Sequence, residues 1–214
     1  MSLTSRRHPA LDFYARGVFP MADSPSAPEV FLVEPEFRGV FPLDRLRLPR
    51  RLQRTLRQDA FEVRINSDFE AVLAACADPS RPGAWINPAL LGMYRSLHAE
   101  GAAHSVEAWR GGRLAGGLFG VALRGAFFGE SMFSFETDAS KVALAHLAAQ
   151  LIRGGYRLLD AQFITDHLAS LGAEEIPRDV YLERLAAALA VEGRLTGAAP
   201  LSGAAVLQVI SQVS

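Results

Sequence analysis

The 214-residue chain has a single lysine, Lys141, against 21 arginines (22 basic residues less one), and a single cysteine, Cys76. One cysteine excludes an internal disulfide and a cysteine-rich metal site, and it suits a reducing compartment. No stretch of about 18 uninterrupted apolar residues occurs, so no transmembrane helix and no membrane partner are expected. The first residues include Arg6, Arg7 and His8 but lack the apolar run of an export signal, and a cytoplasmic location is expected. Net charge is scarce too. At −1, the molecule as a whole attracts no polyanion, and any such attraction has to come from a local patch. Half the residues are apolar and 21% are charged, the profile of an ordinary globular protein. The length suits one large domain, or a small domain joined to a medium one.

Proline is abundant at one end. Seven of the twelve prolines fall in residues 1–60, too closely spaced for long helices. The apolar runs between them, VFLV at 30–33 and RGVFPL at 38–43, are predicted as short strands. Residues 45–57, RLRLPRRLQRTLR, hold six arginines and no acid, and the second half of the run has helical spacing. This first segment reads as a small irregular domain, 1–60.

A regular pattern follows over 61–214. AFEVRI at 60–65 alternates as a strand, and Ser67 with Glu70 reads as a capping box. Asn87 and Pro88 form an N-cap and N1 pair for a helix that stops at Gly101. Strands are predicted at 104–110, 113–121 and 125–133, joined by short glycine-bearing turns as an antiparallel meander. Asp138 is placed to cap a long helix over ASKVALAHLAAQLIRGG. A strand at 156–163 and helices at 165–171 and 178–190 come next, and the tail beyond Gly193 is Ala/Gly-rich and weakly patterned. The fold class is therefore α+β. The order of elements fits a GNAT-like acyltransferase domain with a mainly antiparallel sheet, although fold alone names no reaction.

Two strands carry polar residues that need explaining. In GESMF, alternation puts Phe128, Glu130 and Met132 on one face and Phe127, Gly129 and Ser131 on the other. Glu130 is then either hydrated at a sheet edge, or paired, or lining a cavity. In LLDAQF, Asp160 and Gln162 share a face at a strand end, a place where either a structural role or a site is expected. Arg47, Arg50, Arg51, Arg54 and Arg57 make a strongly positive surface on a nearly neutral protein and favour a polyanion partner. Other features carry less. GGRLAGGLFG at 111–120 lacks the order of a phosphate loop. His104, His146 and His167 lack metal-ligand spacing, so no metal is expected, and Ser131 has no readable His–Asp partners.

Several strings together resemble one family. They are YARGVFP (14–20), EPEFRGVFPLD (34–44), WINPALLGMYRSLHAEGAAHSVEAW (85–109), GGLFG (116–120), FFGESMFS (127–134), DASKVAL (138–144), LLDAQFITDHLASLGAEEIPR (158–178) and YLERL (181–185). In this order, over about residues 14 to 185, they resemble the leucyl/phenylalanyl-tRNA–protein transferases. The resemblance implies transfer of Leu or Phe from charged tRNA to proteins beginning with Arg or Lys, the tagging step of the N-end rule pathway, on a GNAT-like domain. It implies no cofactor, because an aminoacyl ester is already activated.

By the same resemblance, Asp160 and Gln162 orient and deprotonate the attacking amine, and Glu130 holds the α-amino group of the donor amino acid. Leu118, Phe127 and Met132 line the side-chain pocket; strand parity favours Phe128 in place of Phe127. Trp85 stacks on the terminal adenine of the tRNA, and the arginine cluster receives the tRNA body. A monomer is expected. Two departures stand out: Phe135 replaces an arginine after SMFS, and Phe31-Leu32-Val33 replaces a run that usually contains tryptophan. Two other readings use the same residues. One is a tRNA-binding relative weak in catalysis. The other is an acyl-CoA N-acyltransferase, which wants [QR]-x-x-G-x-[GA] where this chain has SFETDAS.

Overall fold

The computed structural model describes residues 8–46, 48–195 and 200–213. In chain order the elements begin with α1 (Ala10–Ala15), β1 (Phe19–Met21), β2 (Phe31–Val33), β3 (Phe37–Phe41), α2 (Arg50–Arg57), β4 (Glu62–Ile65), α3 (Phe69–Cys76) and α4 (Pro88–Ala99). The meander β5 (Ala103–Arg110), β6 (Arg113–Leu123) and β7 (Ala126–Ser134) leads into the long helix α5 (Ala139–Arg153). The chain ends with β8 (Leu158–Gln162), α6 (Asp166–Ala169), β9 (Glu174–Pro177), α7 (Arg178–Leu189) and α8 (Gly203–Ser211).

Seven strands form one sheet in the order β4-β5-β6-β7-β8-β3-β9, while β1 and β2 pair separately. All the pairings are antiparallel except β7 with β8, which run parallel across the long helical connection. The fold is thus α+β with a mainly antiparallel sheet. Helices α2, α5 and α8 pack on one face, and α1, α3, α4 and α7 on the other, giving two apolar cores. Residues on both sides of position 60 share the sheet and both cores, since β3 lies between β8 and β9. Among the described residues no helix is long and apolar enough to cross a membrane.

Local chemistry sets the boundaries. Asn87 caps α4, its Oδ1 accepting from Leu90 N at 3.0 Å with Pro88 in the first turn, as the sequence predicts. The cap of α3 is Asp68 in place of Ser67. The Ser67 hydroxyl donates to buried Glu107 at 2.8 Å, and Asp68 Oδ1 takes the N–H of Ala71 at 3.0 Å. Asp138 precedes α5 but makes no side-chain cap. Its φ of 68° turns the chain sharply, and the Ser134 hydroxyl accepts the N–H of Ser140 instead, at 3.1 Å.

Helix α8 lies in the segment that reads as weakly patterned. Ser202 caps it, and Gly203 lets it press against α2: a Cβ there would fall 1.9 Å from the Leu56 carbonyl oxygen. The contact is tertiary, so the local composition gives no sign of it.

Candidate active site at the parting of β7 and β8

The parallel pairing of β7 and β8 ends at Phe128 with Asp160, and β7 then continues to Ser134. Beyond that point lies a cavity of about 140 Å³ lined by Leu118, Met132, Leu144, Leu147, Leu159 and Leu168, with Glu130 and Asp160 in its wall. Leu118 and Met132 stand where the pocket is expected. Phe127 and Phe128 do not line the cavity.

A bulge explains the discrepancy. Gly120 pairs with Gly129 but Phe119 pairs with Ser131, so Glu130 is an extra residue in β7 and the alternation reverses there. Phe127 therefore belongs to the same core as Leu118 and Met132, while Phe128 lies in the opposite core against Tyr14, ring centres 5.0 Å apart. The parity argument for Phe128 fails at this residue. Gly120 makes room for the bulge: a Cβ there would meet the Phe128 carbonyl oxygen at 2.3 Å and the Phe127 ring at 2.4 Å.

Strand β7 is interior to the sheet, so Glu130 is not hydrated at an edge; it is 7% exposed. Its Oε1 accepts from the Tyr14 hydroxyl at 2.8 Å. Its Oε2 accepts from the Tyr94 hydroxyl at 2.7 Å and from Gln162 Nε2 at 3.0 Å. Burial pushes its pKa up to about 7, against hydrogen bonds from Tyr94, Tyr14 and Gln162 that pull it down. The carboxyl thus changes charge near neutral pH. Burial beside the same carboxylate raises both tyrosines well above their ordinary value, so they remain hydroxyl donors.

Asp160 is fully buried and fully occupied. Arg38 grips it with Nε to Oδ1 at 2.9 Å and Nη2 to Oδ2 at 2.7 Å. The Tyr181 hydroxyl donates to Oδ2 at 2.7 Å, and the Gln162 N–H to Oδ1 at 2.7 Å. Arg38 is itself 2% exposed, its guanidinium 4.5 Å from the ring centres of both Phe19 and Tyr181, with Nη1 donating to the Gly17 carbonyl at 3.0 Å. Burial, the largest single influence, would lower the Arg38 pKa, but the Asp160 charge and its hydrogen bonds, with Tyr181 and Glu130 nearby, together raise it. Gln162, adjoining both networks, holds a left-handed φ of 62°, a costly conformation for a non-glycine residue. Its N–H bond to Asp160 secures that turn, and its side chain reaches Glu130. Asp160, Gln162 and Glu130 are therefore one connected group.

The remaining expected residues lie around this centre. Trp85 is half-buried in the loop before α4. Arg81 ties that loop to β7, with Nη2 donating to the Met132 carbonyl at 2.5 Å and Nη1 to the Cys76 carbonyl at 2.6 Å. Asn87 Nδ2 donates to the Ala27 carbonyl at 2.9 Å, so the chain entering β2 runs beside the Trp85 loop and presents Phe31 and Leu32 to solvent. Helix α2 buries Leu52 and Leu56 and turns Arg50, Arg51, Arg54 and Arg57 outward. Arg47 lies outside the described residues. Phe135, at the place of the expected arginine, is exposed and packs against Phe133 with the rings tilted at 59°, ring centres 4.9 Å apart.

Sequence reasoning does not single out Arg38, Tyr14, Tyr94, Tyr181 or Arg81. For Arg38 a signal is present. An aspartate inside an apolar strand needs a cation when buried, and Arg38 is the cation inside the other short apolar strand.

Known proteins match this chain closely. The family model described as leucyl/phenylalanyl-tRNA protein transferase matches residues 40–186. The leucyl/phenylalanyl-tRNA–protein transferase of Phenylobacterium zucineum is 56% identical over 212 residues, covering 95% of this chain and 96% of its own. Those of Maricaulis maris, at 53% over 207 residues (95% of this chain, 96% of the relative), and Caulobacter vibrioides, at 55% over 205 (94% of each), are similar. Similarity of this extent, over nearly the whole of both chains, places the chain in the leucyl/phenylalanyl-tRNA–protein transferase family.

Proposed function

We propose that the protein transfers Leu or Phe from aminoacyl-tRNA to the N-terminal Arg or Lys of acceptor proteins, a cytoplasmic tagging step for N-end rule degradation, on a GNAT-like framework. The observation that carries this reading is the apolar cavity with ionisable Glu130 in its wall and Gln162 hydrogen-bonded to that carboxylate. At about 140 Å³ it falls in the size class that admits a benzene ring, which suits a Leu or Phe side chain. Burial of that side chain contributes about 1.5–3 kcal/mol.

The chemistry follows from the donors and acceptors. Glu130 receives the α-amino group of the donor, and an ammonium beside it favours the carboxylate form. With Nε2 committed to Glu130, Gln162 offers its amide oxygen to the attacking amine. Asp160, saturated by Arg38, Tyr181 and the Gln162 N–H, fixes Gln162 and takes no proton. The acceptor amine has an ordinary pKa of about 8, so a fraction is already neutral near pH 7, and alignment supplies most of the remaining acceleration. The new N–C bond forms, the ester C–O bond breaks, and the proton shed by nitrogen ends on the departing ribose oxygen.

Segment 1–60 supplies the tRNA face through α2, and Trp85 offers an aromatic surface to the terminal base, a contact worth about 1–3 kcal/mol. Changing Arg50, Arg54 and Arg57 together to Ala is expected to weaken Leu-tRNA binding and to flatten its salt dependence. The log–log slope should shrink by up to about 0.9 for each phosphate no longer neutralised. Titration at several salt concentrations, repeated with a short aminoacyl-nucleotide donor, checks this. An equal loss on both donors contradicts the assignment of α2 to the tRNA.

A further inference from the structure

Lys141, the sole lysine, has no part in the transfer chemistry. Its Nζ donates to Asp138 Oδ1 at 3.0 Å. Arg51 of α2 reaches the other oxygen of the same carboxylate, Nε to Oδ2 at 3.6 Å, where the Thr55 hydroxyl also stands at 3.5 Å. The carboxylate faces inward, its side chain 8% exposed, while those of Lys141 and Arg51 are 31% and 78% exposed. Two cations share one acid, which leaves a net positive charge directed at solvent.

The location gives that charge a use. Lys141 lies three residues before Leu144 on α5, a rise of about 4.5 Å, and Leu144 lines the donor cavity. On the other side Arg51 continues into Arg50 and Arg54, which make no ion pair among the described residues. His167 belongs to the same neighbourhood: burial, and then the Lys141 charge, lower its pKa. We propose that Lys141 and Arg51, held side by side by Asp138, bind a backbone phosphate in the single-stranded 3′ end of the aminoacyl-tRNA and join the basic face of α2 to the donor cavity. A compact ammonium with three donors can serve Asp138 and a phosphate oxygen together, which a planar guanidinium engaged in a fork does less readily. The inference rests on the transferase reading and adds a residue to its donor site.

The competing account is that Asp138 merely fastens α2 to α5. Asp138→Asn separates the two because they predict opposite signs. Asn suits the left-handed backbone at this position, so the substitution removes charge without straining the turn. The test measures the KM for Leu-tRNA, its salt slope and the Tm for the unmodified protein, Lys141→Gln, Lys141→Arg and Asp138→Asn, with an aminoacyl-nucleoside lacking 3′-end phosphates as a second donor.

In Lys141→Gln, the KM for Leu-tRNA is expected to rise about 3- to 10-fold and the salt slope to shrink by about 0.7, with a several-fold smaller effect on the short donor. Lys141→Arg is expected to keep the slope, and Asp138→Asn to lower the KM for Leu-tRNA. A rise in KM in Asp138→Asn with a lowered Tm, or equal effects of Lys141→Gln on both donors, would establish the fastener and overturn the phosphate site. An unchanged KM and slope in Lys141→Gln, in a protein whose unmodified form transfers Leu, overturns this inference alone. Absence of transfer in the unmodified protein overturns the reading beneath it as well.

Discussion

Arg38→Met is expected to destabilise the protein by about 3–5 kcal/mol, because it strands a buried carboxylate without its cation. For a chain of this size that corresponds to a fall in Tm of roughly 6–20 °C. Asp160→Ala should do the same from the other side, leaving a guanidinium that is 2% exposed and sandwiched between two rings with no counter-charge. The double variant Arg38→Met with Asp160→Leu removes both charges, and its loss should be smaller than the sum of the single losses by several kcal/mol. Thermal and urea denaturation of the four proteins measures this coupling. Single variants as stable as the unmodified protein would mean that the pair does not anchor β3 to β8. The same reasoning selects Asp160→Asn over Asp160→Ala for any kinetic test of the site, since truncation damages the fold before it informs on transfer.

Glu130→Gln is expected to lower the rate of transfer at pH 7.5 by at least about 100-fold, because it removes the one charge that receives the donor's α-amino group in a dry site. The pH dependence carries a second signature. Because burial holds the folded-state pKa near 7, above the ordinary 4.5, folding favours the protonated form. The stability tied to this carboxyl is complete below pH 4.5 and is lost as pH rises through about 7, by an amount on the order of 3 kcal/mol. Transfer should move the other way, rising through the same interval as the carboxylate forms. In Glu130→Gln the Glu130 part of both trends should disappear. The component of the rate rise centred near pH 7 should go, leaving only the rise that belongs to the acceptor amine near pH 8, as should the part of the stability loss between pH 5 and 8 that belongs to Glu130. Rate and Tm profiles over that range decide the matter. An unaltered pH–rate profile in Glu130→Gln would remove Glu130 from the donor site.

What can be read from the sequence depends on how local the determinants are. The meander and α5 are legible because alternation, turn glycines and an apolar helical stripe are written within ten or so residues. Asn87 with Pro88 marks the start of α4 for the same reason. Asp160, Gln162 and Glu130 stand out as polar residues in apolar strands, and the structure brings them together through Gln162.

The failures are of the opposite kind. The bulge at Glu130 depends on how β7 registers against β6, and alternation read along one strand cannot detect it, so parity puts Phe128 on the wrong face. Arg38 is 122 positions from Asp160. Its role exists only because β3 enters the sheet beside β8. Ser67 and Asp138 resemble caps, but Glu107 and Lys141 claim their side chains. The mistaken assignments thus fall mainly where distant segments decide the conformation.

The most direct test is incubation of the unmodified protein with labelled Leu-tRNA and two peptides that differ only in beginning with Arg or with Ala. The account predicts label at the N-terminus of the Arg peptide, little on the Ala peptide, and no requirement for ATP or acyl-CoA. Labelling of neither peptide, with tRNA still bound, would contradict it and would leave a tRNA-binding member of the family that does not catalyse transfer.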